Sequence, residues 1–345
     1  MNKDRVAVAM SGGVDSTVAA WLALREGAEV TGIHLNLYPG APADEELRRS
    51  CAAMGIRLVE RECSEEFFRR VLLPSAREYD RGRTPNPCCL CNKVLKFAQL
   101  FSAADELGIR RVLTGHYVRL EQSGGRFLLR RGADERKDQS YFLYRLDQED
   151  LARVGFPLGG LAKEEVRRIA ESAGLPCASR RDSQDACFQV PGECCGETLR
   201  RRCMLPVRGG EFIHRGRAVG RHEGIHRYTV GQRKGLKVAL GVPAYVRAID
   251  PESGRIDLTV DADELLTGSF TVKEVVWQSG AAPVGEMLSV RVRYRSPGAA
   301  CSWELLPGGA VRVHPLRPLR AVTPGQAAVF YCGDVLAGGG IIDHV

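Results

Sequence analysis

Ser11-Gly12-Gly13-Val14-Asp15-Ser16 lies between an apolar run, residues 6–10, that reads as a buried strand, and a periodic apolar run, residues 17–24, that reads as a helix. A turn so placed is an anion site. The first backbone N–H groups of a helix have no partner, the helix dipole is positive there, and two adjacent glycines let a phosphate approach the main chain. Ser11 and Ser16 add hydroxyl donors, and Asp15 is a candidate for the metal or pyrophosphate side of such a site. The stretch lacks the closing Gly-Lys-Ser/Thr of a Walker loop, so it supplies no lysine to the phosphates. The plain alternative is an ordinary glycine turn between strand and helix.

Outward from this turn the first half alternates strand and helix. Gly27 closes the first helix; residues 28–37 read as a strand, 45–54 as a helix and 57–60 as a strand. Ser64 is expected to cap a helix toward Tyr79, and Asn92 an amphipathic helix to Leu107 that Gly108 ends; residues 111–114 read as another strand. Such alternation predicts an α/β domain with a doubly wound parallel sheet and ligands at the carboxyl ends of its strands, where Ser11 and Gly115-His116 both fall. Residues 117–121 and 126–130 flank Ser-Gly-Gly as a hairpin, and 163–173 read as a helix capped by Gly174. From about Met204 short alternating runs broken by Gly and Pro replace the helical period. The expected division is 1–203, a nucleotide-binding catalytic domain; 204–268, a small β-rich connecting domain; and 269–345, a C-terminal β-barrel with strands near 288–294, 310–313 and 327–331.

With 44% hydrophobic and 26% charged residues, the composition is that of a globular protein. No run approaches the roughly 18 apolar residues of a membrane helix and the start is polar, so no membrane and a cytoplasmic location are expected. The net charge of +7, with clusters at Arg130-Arg131, Arg180-Arg181, 200–202 and Arg291-Arg293-Arg295, suits a polyanionic partner, although any one cluster alone reads as a solvated face. Twelve cysteines without a secretion signal argue for thiol chemistry, a metal or a cluster rather than disulfides.

Two cysteines stand out by position. In Thr84-Pro85-Asn86-Pro87-Cys88-Cys89-Leu90-Cys91-Asn92-Lys93 the prolines are expected to delay the helix until Asn92, which places Cys91 just before a helix N-terminus, where a thiol pKa is lowered. Cys187 follows Asp182-Ser183 in a polar loop. Two loop thiols of one α/β domain can meet in space; inert structural cysteines are the alternative.

The stretch at 11–16 resembles the PP-loop of ATP pyrophosphatases. The whole chain is similar to the bacterial tRNA-specific 2-thiouridylases, through 11–16, Gly82-Arg83-Thr84-Pro85-Asn86-Pro87 with Cys91-Asn92-Lys93, Thr114-Gly115-His116-Tyr117, Lys137-Asp138-Gln139-Ser140-Tyr141-Phe142-Leu143, Asp182-Ser183 with Cys187-Phe188, Gly231-Gln232-Arg233-Lys234-Gly235-Leu236, Arg293-Tyr294-Arg295 and Thr323-Pro324-Gly325-Gln326. The resemblance implies ATP-dependent adenylation of O2 of the wobble uridine (position 34) of tRNA, with Mg2+, followed by sulfur transfer to give 2-thiouridine, AMP and pyrophosphate. It implies that Cys187 carries a persulfide and that Cys91 is the second catalytic thiol, with Asp15 at the reacting phosphates. Ala9, Met10, Ser11, Gly12, Gly13, Val14, Asp15, Ser16, Leu35 and Gly115 would line the nucleotide site. Asn86, Pro87 and Cys88 would face a target base drawn out of its stack. His116, Lys137, Asp138, Gln139, Arg293, Tyr294 and Gln326 would meet tRNA; a strand-end histidine and a barrel strand face are the plain readings of His116 and of Arg293-Tyr294. The partners implied are tRNA and a sulfur-relay protein or cysteine desulfurase, and the chain is expected to act as a monomer.

This chain also departs from the family. Cys88 stands where most members have Asp, so Cys88, Cys91 and Cys187 are a candidate ligand set for a 4Fe-4S cluster with one open iron, fed by free sulfide; zinc with Cys89 as a further ligand, and a cluster-free persulfide route, stay open beside it. Residues 189–195, with Cys194 and Cys195 adjacent, and the loop after Leu35, which lacks the family's Asn-Trp, differ too. Another PP-loop enzyme, such as a tRNA lysidine synthase or a GMP-synthase-like ligase, and a non-catalytic Cys-rich RNA-binding protein remain as alternatives.

Overall fold

In the computed structural model, residues 4–40, 43–180, 185–283 and 285–345 are described. Asp182 and Ser183 lie outside them. The strands of the first half are, in chain order, β1 (Arg5–Ala9), β2 (Glu29–Asn36), β3 (Arg57–Glu62), β4 (Arg111–Leu113), the hairpin β5 (Val118–Ser123) and β6 (Arg126–Arg131), and β7 (Val154–Gly155). β3-β2-β1-β4-β7 form one sheet with every pair parallel. Val6, Ala7 and Val8 of β1 are buried, as the central strand of a sheet covered on both faces must be. Strand order reverses between β1 and β4, and a crevice opens at the carboxyl ends of strands at such a switch. The loop 10–13 leaves β1 there.

Helix α1 (Val14–Arg25) begins three residues before the expected start, directly on Gly13. Helix α2 (Glu45–Ala53) is capped by Asp44, whose carboxylate accepts from Leu47 N at 2.7 Å. A larger difference concerns the cysteine-rich segment. The helix starts at Pro87, not at Asn92: Asn86 is its cap, accepting from Cys89 N at 3.2 Å, and Pro87 occupies the first turn, where its missing N–H costs nothing. Helical backbone then continues to Glu106, through a widened turn at Asn92–Phe97. Asn92 is interior and donates from Nδ2 to Phe142 O.

The central part holds β8 (Gly210–His214), β9 (Arg217–His222), β10 (Tyr245–Ile249) and β11 (Ile256–Thr259), in order β10-β11-β8-β9 with β11 and β8 parallel. After the short β12 (Leu266–Thr267) come β13 (Phe270–Trp277), β14 (Leu288–Arg291), β15 (Ala299–Leu305), β16 (Val311–Pro315), β17 (Leu319–Arg320), β18 (Ala327–Cys332) and β19 (Val335–His344). Six of them close an antiparallel ring, β13-β16-β15-β14-β18-β19 and back to β13. β14 ends at Arg291, so Arg293 and Tyr294 follow the strand rather than continue it.

The hairpin β5–β6 extends this barrel sheet, not the parallel one. Val335 pairs with Arg130, Arg131 N donates to Asp334 O, and Arg119 and Arg130 both bind the Asp334 carboxylate. One apolar core runs across the junction, from Ala7, Ile33 and Phe97 through Tyr141 and Tyr144 to Ala327, Val329 and Tyr331. No helix among the described residues is long and apolar enough to cross a membrane.

Candidate active site

The loop after β1 is braced from within. Gly12 sits at φ +81°, where a side chain is strained. Ser11 N donates to Ser16 Oγ at 3.1 Å, Ser16 Oγ donates to Gly13 O at 3.1 Å, and the two serine hydroxyls lie 3.2 Å apart. Gly115 packs against the loop so closely that a Cβ would stand 2.8 Å from the Asp15 carbonyl carbon. Asp15 Oδ1 accepts from Tyr117 Oη and from Lys163 Nζ, both at 2.6 Å. The Lys163 side chain is 6% exposed and that of Asp15 36%. On the other flank Arg180 Nη1 donates to Gly12 O at 3.0 Å and to the Asp44 carboxylate at 2.9 Å.

A cleft of about 640 Å³ opens over this loop. Among the expected nucleotide residues, Ala9, Met10, Ser11, Asp15, Ser16, Leu35 and Gly115 line it. Gly12 and Gly13 form the turn beneath, and Val14 is buried in the first turn of α1. The same cleft takes in Cys91 and Cys187, with Lys96, His116 and Gln139. The helix 87–106 carries Cys91 and Lys96 to it, and Cys187, exposed at its rim, is held where Tyr38 Oη donates to Cys187 O at 3.2 Å.

The lowered pKa expected of Cys91 is overturned. Because the helix starts at Pro87, the thiol lies beyond the terminal N–H groups and is buried in the core under Leu95 and Phe67. Burial pushes its pKa up to about 12; the Lys96 ammonium opposes the rise, and Cys187 and Cys88 add to it. Desolvation by the surrounding cleft walls also raises the thiols of Cys88 and Cys187, although Cys187 as a residue is exposed at the rim, with Lys96 again the leading opposing charge on Cys187. His116 is neutral: burial, then Lys96, hold it well below its usual range, while Nδ1 shares a 2.8 Å hydrogen bond with Thr114 Oγ1 and the ring stacks on Phe97.

Cys88, Cys91 and Cys187 are electrostatic neighbours. Yet among the described residues no group of three or more His, Cys, Asp or Glu side chains is arranged to hold a metal ion. The trio as placed here does not fit a cluster, nor does it make a zinc site with Cys89, whose Sγ donates to Tyr141 O at 3.7 Å. Asp15, the acidic side chain of the loop, lines the cleft beside this cradle.

The residues expected at tRNA divide. Asp138, 3% exposed, spends its carboxylate on Gly132 N, Ser140 N, Ser140 Oγ and Arg291. Arg293 Nη2 bridges Val230 O, Ala321 O and Thr323 Oγ1, tying the central part to the barrel. Gln326 Nε2 donates to Thr84 O at 2.9 Å, anchoring the chain just before the cysteine helix, and Gln139 Oε1 accepts from Tyr117 N. Tyr294 packs on Phe142 at 4.5 Å between ring centroids, and Lys137, half-buried, closes the turn that begins at Asp134 by donating its backbone N–H to Asp134 O at 3.0 Å. Asn86, with Cys89, borders a second cleft of about 660 Å³ between the helix and the barrel, which also holds Arg77, Arg81, Arg83 and Arg145; buried Pro87 and half-buried Cys88 lie on the first turn beside it.

Lys163, Tyr117, Arg180 and Lys96 were not identifiable as site residues from the sequence. Only the absence of a lysine inside the loop 11–16 signalled that a cation must come from elsewhere.

A parallel sheet with a phosphate cradle at its switch point, two thiols opening on that cradle and two β-rich units behind define a PP-loop nucleotide-binding enzyme. The tRNA methyl transferase HUP domain family matches residues 4–191, its PRC-barrel domain 202–258, and the aminomethyltransferase beta-barrel domain 267–342. The tRNA-specific 2-thiouridylase MnmA of Geobacter metallireducens is 42% identical, over 99% of this chain and 97% of that protein; tRNA-specific 2-thiouridylase MnmA 1 of Clostridium tetani is 38% identical, over 99% and 98%. The chain belongs to this tRNA-specific 2-thiouridylase family. A 4-thiouridine synthetase solved in complex with RNA and ATP overlaps at a TM-score of 0.36 with 20% identity, covering 58% of this chain and 50% of that one, a likeness too distant to bear on function.

Proposed function

We propose that the protein thiolates the wobble uridine of tRNA at C2, using ATP, and that it does so in the cleft over the loop 11–16. The observation that carries this reading is that Cys91 and Cys187 line the same cleft as Ser11, Asp15 and Gly115. A different PP-loop ligase, or a non-catalytic RNA-binding protein, has no use for two thiols there.

The chemistry needs both halves of the cleft. A uracil carbonyl oxygen is a poor leaving group, so O2 attacks the α-phosphate of ATP and pyrophosphate departs, cradled by the loop N–H groups, with Arg180 beside Gly12. Asp15, braced by Lys163 and Tyr117, would be the residue to hold a Mg2+ ion, which would supply charge neutralisation at the phosphates. The terminal sulfur of a Cys187 persulfide then attacks C2 and AMP leaves. Cys91 attacks Cys187 Sγ and breaks the S–S bond, so the two electrons that reduce the transferred sulfur come from the two cysteines, which end as a disulfide that an external thiol reduces. In this scheme a sulfur-relay protein or a cysteine desulfurase loads Cys187 at the rim, the protein acts as a monomer in the cytoplasm, and its working parts are residues 1–203, 204–268 and 269–345. No step runs through a metal cluster.

Cys187→Ala tests the assignment. It should bind ATP and release pyrophosphate in the presence of unmodified tRNA, yet form no 2-thiouridine by nucleoside mass spectrometry. Thiolation at the wild-type rate would remove Cys187 from the mechanism.

A further inference from the structure

Lys96 stands at the centre of the cleft's electrostatics. It opens on the cleft together with Cys91, Cys187 and His116, and it lies in the widened helical turn Asn92–Phe97, a deformation that recurs at functional sites. That turn also aims the backbone N–H of Lys96 at Cys91. The other cations nearby are occupied. Lys93 binds Asp147 and Asp150 at 2.5 and 2.6 Å, Arg180 binds Asp44, and Arg202 lies over the Tyr38 ring at 4.9 Å. Among the described residues the Lys96 ammonium meets no carboxylate and no hydrogen-bond acceptor. A half-buried cation without a counter-charge, between thiols and a neutral imidazole, is poised for an anion that arrives during the reaction.

We propose that Lys96 is the residue that stabilises negative charge on sulfur during transfer between Cys187, Cys91 and C2. This rests on the thiolation reading above. The sulfur that leaves Cys187 and the Cys91 sulfur that replaces it both pass through thiolate character, and desolvation by the cleft walls disfavours a thiolate at each position. One ammonium facing both sites offsets that penalty without belonging to the nucleotide machinery.

The test uses the full-length protein as Lys96→Gln and Lys96→Arg. In Lys96→Gln, ATP affinity and tRNA-dependent pyrophosphate release should stay within about twofold of wild type, while single-turnover transfer from persulfide-loaded protein falls by about 100-fold, the scale for losing one charge-stabilising donor. Alkylation of Cys187 and Cys91 by iodoacetamide at fixed pH, without nucleotide, should slow about tenfold, the equivalent of one pKa unit. Lys96→Arg should restore most of both. A merely structural role would not distinguish Arg from Gln in alkylation. The proposal is overturned if transfer and alkylation are unchanged, or if ATP binding falls as far as transfer, which would make Lys96 a nucleotide ligand. If the wild type forms no 2-thiouridine while alkylation still slows in Lys96→Gln, the charge pairing stands and the proposed activity fails.

Discussion

Gly115→Ala probes the contact between the end of β4 and the phosphate loop. The added Cβ would stand 2.8 Å from the Asp15 carbonyl carbon, 2.9 Å from its oxygen and 2.9 Å from Ser16 N. All three are backbone atoms, so no rotamer relieves the clash. Ordinary contact begins at 3.4 Å, and the loop must therefore retreat by about 0.6 Å. It has little room to do so evenly, because Ser16 Oγ is tied to Ser11 N and Gly13 O and the Asp15 carboxylate to Lys163 and Tyr117. Overpacking of this kind costs about 1–3 kcal/mol, and a misplacement approaching 1 Å lowers productive binding by up to about 10²-fold. The expected result is a folded protein whose ATP dissociation constant, by titration calorimetry, rises roughly 10- to 100-fold, with far-UV circular dichroism unchanged. Wild-type ATP affinity in a folded Gly115→Ala protein would refute the reasoning, since the loop would then not be held at the position that binds phosphate.

The Asp15–Lys163 pair can be tested from either side. Asp15→Asn removes the carboxylate that Lys163 Nζ meets at 2.6 Å from an ammonium that is 6% exposed, and should destabilise by roughly 1–3 kcal/mol, below the range for a fully buried pair because Asp15 itself is partly solvated. Lys163→Met combined with Asp15→Asn should cost less than the sum of the two, measured by chemical denaturation; strict additivity would mean that the pair is not coupled. Glu197 offers a pH test. Arg200 first, then His226 and Arg227, hold its carboxyl at about 2 against an ordinary 4.5, over the opposing effect of burial. A depressed folded pKa gives stability that is present above pH 4.5 and lost as pH falls toward 2, worth about 3 kcal/mol. In Glu197→Gln that acid-dependent loss should largely vanish from the melting temperature between pH 4.5 and 2, and an unaltered acid limb would show that the network does not carry it.

The sheet was legible because each of its elements announces itself locally. β1 reads as an uninterrupted apolar run, the loop 11–16 as glycines between periods of different length, and Gly174 as a helix end. The start of the cysteine helix was misread for a physical reason. Two prolines look like a barrier, but Asn86 before Pro87 is a cap followed by a residue that the first helical turn tolerates, and this shift alone moves Cys91 from a terminus into a core. The membership of β5–β6 in the barrel sheet could not be read locally, since it depends on pairing with Val335 far along the chain. Nor could the occupation of Asp138 and Arg293, polar residues whose partners Arg291, Val230 and Thr323 come from other elements. Lys163 lies in an ordinary amphipathic helix; only the fold brings its ammonium to Asp15.

The hairpin β5–β6 also ties the order of synthesis to the order of folding. Residues 118–131 leave the ribosome well before the strand that pairs with β6 and before Asp334, which binds Arg119 and Arg130; both lie about 200 residues further on. Until then the β6 edge is unpaired, and the apolar core shared by Ala7, Tyr141, Val329 and Tyr331 is half built. Nascent chains therefore pass through a state with an open strand edge and an uncovered face beside the nucleotide cleft, which other chains or chaperones can engage. Cutting the gene after residue 203 would make that transient state permanent, since the core around Tyr141 would lack Val329 and Tyr331.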